Sequence, residues 1–211
     1  AYLAAIWLFP PAPLAVLFAV TVALGGWEWA RLIGLTPAGA AAFLAGLFLC
    51  MAGGWWYLSA GLPLLPLFVA SMIWWLLAMA WLWRFSRGGL RPPGTVMAVV
   101  VGYLLLWPVW FALVYLHSVP DGPFWIVVLC LLVWGADVGA YFAGRTLGRH
   151  KLAVTISPNK TWEGATGGLV LAMLLAAGFY LLLQPQGPAL ALLLPLALLT
   201  VAISVVGDLF E

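Results

Sequence analysis

From Thr95 to Leu116 the chain reads TVMAVVVGYLLLWPVWFALVYL, without one charged side chain, and runs of this kind recur along most of its 211 residues. A segment of about 20 apolar residues is the length an α-helix needs to cross roughly 30 Å of hydrocarbon. Backbone N–H and C=O groups find no water there and must bond within the segment, which leaves helices or closed barrels. These runs are continuous and do not alternate polar with apolar residues, so they are helices and not barrel strands. Only 7% of the residues are charged and 66% are hydrophobic, against about 25% charged in an average soluble domain. The expected fold class is all-α: a polytopic transmembrane helical protein.

With Pro, Gly and charged clusters as punctuation, spans are expected at about 12–33, 37–58, 63–83, 95–116, 123–143, 164–183 and 188–207. The opening AYLAAIWLF is too short to span and is expected to be the end of a further helix, which gives about eight segments with the first one partial. The chain does not begin with Met, no charged stretch precedes the first apolar run and no small-residue cleavage site follows it, so a signal peptide is not expected. The whole of 1–211 is expected to form a single membrane-embedded domain.

The connections give an independent test of this threading. Arg31 follows the second segment; Arg84, Arg87 and Arg91 follow the fourth; Arg145, Arg149, Lys151 and Lys160 follow the sixth. The opposite connections, PPAP, SAGLP, LHSVPDGP and LQPQGP, hold no Lys or Arg. By the positive-inside rule the basic side is cytoplasmic. The Trp residues of WEW, GGWW and WLWR, close to expected helix ends, suit interfacial anchors. Cys50 and Cys130 each lie within an apolar run, read as small buried hydrophobes, with no metal or redox spacing. A formal charge of +2 with no long basic stripe gives no footing for nucleic acid.

Chemistry concentrates in GADVGAYFAGRTLGRHKLAVTISPNKTWEG, from Gly135 to Gly164. Asp137 falls about six residues inside the cytoplasmic end of the sixth span, roughly 9 Å deep. A carboxylate at that depth is costly and is by default a functional candidate, the alternative being a structural pair with a nearby Arg. Asp208, in SVVGDLFE, closes the eighth span on the same side. Two acids on different helices at similar depth are suited to share a divalent cation such as Mg²⁺, which takes carboxylate oxygens and keeps positions for phosphate. In TISPNKTWEG, Ser157 and Pro158 read as the N-cap and first residue of the seventh helix, with Lys160 one turn in. Free N–H groups and a positive end there suit a phosphate, with further donors in Ser157 and Thr161, and Glu163 placed to hold Lys160 or a metal. A capped helix start with a snorkelling Lys is the plainer alternative. Gly135, Gly139 and Gly144, with Ala136, Ala140 and Ala143, read chiefly as a face for close helix packing. Glu28 and Arg31, three apart, are expected to pair, while His117, Asp121 and His150 fall outside the site. No Walker-type P-loop, HExxH or Ser-His-Asp pattern is present.

Three ordered stretches carry a resemblance: D-x-GAYF-x-GR-x-x-G-x-HKL from Asp137 to Leu152, SP-x-KTWEG from Ser157 to Gly164, and GDL-x-E from Gly207 to Glu211. With WEWARL early in the chain, they resemble the phosphatidate cytidylyltransferase (CDP-diacylglycerol synthase) family. The resemblance implies an enzyme that joins CTP and phosphatidic acid into CDP-diacylglycerol and pyrophosphate with Mg²⁺, as a homodimer with a lipid-open site on the cytoplasmic face of the cell (inner) membrane. It implies Asp208 and Asp137 as metal and catalytic acids, Lys160 with Ser157 and Thr161 on phosphate, and Lys151 and Arg145 drawing in the triphosphate or anionic headgroup. Val138 stands where the family carries a small hydroxyl residue, and the family continues beyond GDLFE with a further metal-binding Asp. The chain is therefore expected to be truncated at both ends relative to the family. The rivals are a secondary transporter, for which the clustering of ionisable residues at one surface is unfavourable, and another CTP-using membrane lipid kinase, which would release CDP.

Overall fold

The computed structural model describes residues 2–86, 94–153, 157–182 and 190–207. In chain order these form α1 (Tyr2–Leu8), α2 (Pro11–Leu32), α3 (Pro37–Ser59), α4 (Leu65–Ser86), α5 (Thr95–Ser118), α6 (Gly122–Leu147), β1 (Lys151–Ala153), β2 (Ser157–Thr161), α7 (Trp162–Leu182) and α8 (Leu190–Gly207). Helices α2, α3, α5, α6 and α7 are each long and apolar enough to span a membrane. Large apolar side chains stand outward, Val96 at 80% and Leu182 at 83% exposure among them. Such a surface suits hydrocarbon and not water. The protein is a multi-pass helical membrane protein, and the helix bounds fall within a few residues of those read from hydropathy. The largest difference is at α6, which runs on to Leu147. Arg87, Arg91 and residues 208–211, Asp208 among them, lie outside the described residues.

The chain divides into two compact units, residues 1–126 and 127–211. In the first, α2, α3 and α5 enclose a core that includes Phe18, Ala30, Ala40, Phe43, Leu47 and Phe111. Lipid tails are as apolar as Leu, so burial alone gives helices little reason to associate in a bilayer; packing and hydrogen bonds carry the specificity. Polar tips of α5 aromatics supply those bonds. Tyr103 Oη donates to the Phe43 carbonyl at 3.0 Å, Trp107 Nε1 to Cys50 O at 2.8 Å, and buried Trp110 Nε1 to Ala15 O at 2.9 Å. In the other direction Trp29 Nε1 of α2 donates to Ala98 O of α5 at 3.0 Å. Trp29 is thus a helix lock and not the interfacial anchor expected of it, whereas Trp27 and Trp56 remain exposed. Buried His117 contacts the Ile6 carbonyl through Nε2 at 3.1 Å. Two further expectations are corrected: Cys50 is exposed, and Glu28 and Arg31 do not pair among the described residues. Thr36 caps α3, its Oγ1 accepting from Gly39 N at 3.1 Å ahead of Pro37.

In the second unit, α6 and α7 meet through small residues. A Cβ on Gly139 would lie 2.6 Å from the Gly167 carbonyl, and one on Gly168 would lie 2.6 Å from the Ala136 carbonyl. A Cβ on Gly164 would lie 3.0 Å from the Ala140 carbonyl. Only glycine lets the two backbones come this close, so the expected small-residue face is a packing face. On the other flank α7 packs along α8, whose Leu193, Ala197 and Val201 are buried. Between α6 and α7 the chain makes a short antiparallel ladder, with Lys151 opposite Thr161 and Ala153 opposite Ser157.

Candidate active site at the α6–β1–β2–α7 junction

Ser157 and Pro158 do not begin a helix. Residues 157–161 are extended because they pair with Lys151–Ala153, and the Trp162 amide closes the ladder on the His150 carbonyl at 2.9 Å. The helix begins four residues later than the Ser-Pro signal suggests, with Thr161 as its N-cap: Oγ1 accepts from Gly164 N at 3.1 Å. Thr161 is 9% exposed, and its methyl lies where a Cβ on Gly148 would come within 3.0 Å. Expected as a phosphate donor, it is placed as the pin between the end of α6 and the start of α7. Lys160 precedes the cap and sits on β2 instead of one turn into the helix, half-buried. Ser157 opens the same strand.

Glu163, on the first turn of α7, turns to His150 and not to Lys160. Its Oε1 lies 2.6 Å from His150 Nδ1, and both carboxylate oxygens accept from the His150 amide, at 3.3 and 3.2 Å. On sequence grounds alone His150 falls outside the site. Thirteen residues separate it from Glu163, and no helix or strand period connects the two. A His followed, across a polar turn, by an acid on a new helix is the only trace such a clamp leaves in a sequence.

On α6, Asp137, Tyr141 and Arg145 follow one another at four-residue steps along one stripe. Arg145 Nη1 donates to Tyr141 Oη at 2.6 Å, and its guanidinium carbon stands 5.9 Å from the Tyr141 ring centroid. Tyr141 is a site neighbour that sequence reasoning passed over; the i, i+4 spacing is the signal that finds it. All three are exposed. Asp137 stands ten residues before Leu147, roughly 15 Å along the axis at about 1.5 Å per residue. This is farther from the helix end than the expected span allowed, because α6 continues past residue 143. The second unit thus carries Asp137 and Arg145 on α6, Lys151 and Lys160 on paired strands, and Glu163 at the head of α7. Among the described residues no three His, Cys, Asp or Glu side chains converge.

Comparison with known proteins decides what this arrangement belongs to. A model described as "Cytidylyltransferase family" matches residues 1–211. The chain belongs to the cytidylyltransferase family. Among curated relatives it is 38% identical over 200 residues to the phosphatidate cytidylyltransferase of Pseudomonas aeruginosa, covering 93% of this chain and 72% of that protein. It is 32% identical over 236 residues to the phosphatidate cytidylyltransferase of Haemophilus influenzae, covering 100% of this chain and 80% of the relative. An 85-residue match to the enzyme of that name from Bacillus subtilis is 46% identical, over 40% of this chain and 30% of the relative. No solved structure matches the chain.

Proposed function

We propose that the protein is a phosphatidate cytidylyltransferase that transfers the cytidylyl group of CTP to phosphatidic acid, giving CDP-diacylglycerol and pyrophosphate. The observation that carries this reading is the family membership over the whole chain, including the ordered stretches at Asp137–Leu152 and Ser157–Gly164. The relatives in Pseudomonas and Haemophilus that share it bear that name. In the reaction an oxygen of the lipid phosphate forms a bond to the α-phosphorus of CTP, and the bond from that phosphorus to the bridging oxygen of the β-phosphate breaks. Pyrophosphate leaves with the electron pair. Two polyanions must be brought together, so the cations of the site matter first for binding and alignment and then for the charge that spreads over the phosphoryl oxygens.

Lys160 and Ser157 on β2 and Lys151 on β1 take phosphate oxygens in this reading, and Arg145, held by Tyr141, draws in the anionic headgroup or triphosphate. Mg²⁺ fits the donor set: it needs one or two protein carboxylates, with phosphate and water oxygens filling the rest. Asp137 offers one such carboxylate on α6, and Asp208 would be the second. When bound, the ion would offset the charge that builds on the phosphates. Thr161 serves the scaffold, and Glu163 holds His150. In this reading the site faces the cytoplasm at the inner membrane, because the Lys and Arg residues of the sequence fall in the connections after the second, fourth and sixth segments. A homodimer with a site open to lipid belongs to the same reading.

The test is pyrophosphate release by membranes containing the full-length protein. Release must require CTP, phosphatidic acid and Mg²⁺ together, and Asp137→Asn and Lys160→Ala should each lower it about 100-fold, the scale of losing one group that stabilises transition-state charge. Release without the lipid, or undiminished release in both variants, contradicts the assignment.

A further inference from the structure

We propose that His150 binds a substrate phosphate through Nε2, with Glu163 as the positioning residue that aims the ring; this rests on the cytidylyltransferase reading above. Glu163 accepts from His150 twice over, at the backbone amide (3.3 and 3.2 Å) and at Nδ1 (2.6 Å), while the His150 carbonyl accepts from Trp162 N at 2.9 Å. Residue 150 is therefore fixed at three atoms. A carboxylate only accepts, so the hydrogen of the short contact is on Nδ1; the outward Nε2 becomes a donor once the ring holds a second hydrogen, the imidazolium form that a carboxylate on one side and a bound phosphate on the other favour.

The side chain of His150 is nevertheless 78% exposed, against 24% for Glu163. An exposed ion pair is worth about 0–1 kcal/mol. Stability is thus a poor account of so much fixing, and orientation is a good one: a carboxylate behind an imidazole holds its plane and stabilises the imidazolium. Exposed Arg149 and Lys151 are the neighbours of His150 in the chain, and the ladder sets Lys151 opposite Thr161, the neighbour of Lys160. A charged N–H donor selects phosphate oxygens over an acyl chain. The triphosphate of CTP and the headgroup of phosphatidate share that chemistry.

The amide N–H of Asn lies close to the position of Nδ1, whereas the longer Gln reaches toward that of Nε2. His150→Asn therefore keeps the Glu163 contact and loses the outward donor, and His150→Gln does the reverse. In membranes containing the full-length protein, His150→Asn should raise KM about tenfold, the scale of one hydrogen bond to a charged group, with its melting temperature unchanged. The rise falls on CTP if the triphosphate is the ligand and on phosphatidate if the headgroup is. His150→Gln should regain part of the loss. Glu163→Gln should weaken binding in the wild-type background and do little further in His150→Asn. Wild-type KM values for both substrates in His150→Asn overturn the proposal, leaving His150 a tether through Nδ1. Equal loss of kcat in Asn and Gln variants at unchanged KM, or additive losses with Glu163→Gln, overturn it as well. A wild-type control that releases no pyrophosphate from the two substrates sinks the enzymatic reading itself, and is told apart because it shows before any variant is compared.

Discussion

Thr161 carries more of the local architecture than its hydroxyl suggests. It ends the ladder, caps α7 and fills the space beside Gly148. Thr161→Ala should cost about 1 kcal/mol by loss of the cap, read as a lower melting temperature in detergent, while Thr161→Ser keeps most of it. A Ser variant as unstable as Ala would place the effect in the methyl packing instead. At this scale the sequence shows which residues matter better than it shows what they touch. Asp137, Arg145, Lys151, Lys160 and Glu163 stand out because ionisable residues are rare in such a chain. That Glu163 holds His150, and that Thr161 is buried, follow from a strand pairing that no local pattern encodes.

Helix α7 shows how little side chain an element needs in order to dock. Its Gly164 and Gly168 rest against Ala140 and Ala136 carbonyls of α6, whereas Gly178 meets nothing within 4 Å. Gly168→Leu should destabilise by roughly 1–3 kcal/mol through overpacking, and Gly178→Ala should be neutral or stabilising by up to about 1 kcal/mol, as for any open helix interior. Thermal unfolding of the two variants side by side checks the contrast, which disappears if α6 and α7 do not touch. The spacing of Gly and Ala made this face legible, and hydropathy made the helices legible, since both signals lie within one element. The hairpin was not. Its five-residue strand SPNKT carries a Ser-Pro pair that imitates a helix start, and only its partner Lys151–Ala153 keeps it extended. The hydrogen bonds of Trp29, Trp107 and Trp110 were hidden for the same reason, because an indole bond to another helix leaves no periodic mark.

At the scale of the whole molecule, the distribution of charge sets the direction in which the chain is threaded. In a Cys50→Ala, Cys130→Ala background, Ser59→Cys at the end of α3 and Ser118→Cys at the end of α5 should react with an impermeant thiol reagent added outside intact cells. Thr146→Cys, in the last turn of α6, should react only after the membrane is opened. The reverse labelling would put the cationic hairpin outside, away from cytoplasmic CTP. Cytidylyl transfer and lipid phosphorylation differ in which phosphorus of the nucleotide is attacked, and isotopic label reads the difference directly. With full-length protein, phosphatidic acid and CTP labelled at either the α or the γ phosphorus, cytidylyl transfer predicts α label in the lipid and γ label in free pyrophosphate. Label from the γ position in the lipid, with CDP released, would make the protein a lipid kinase and contradict the account.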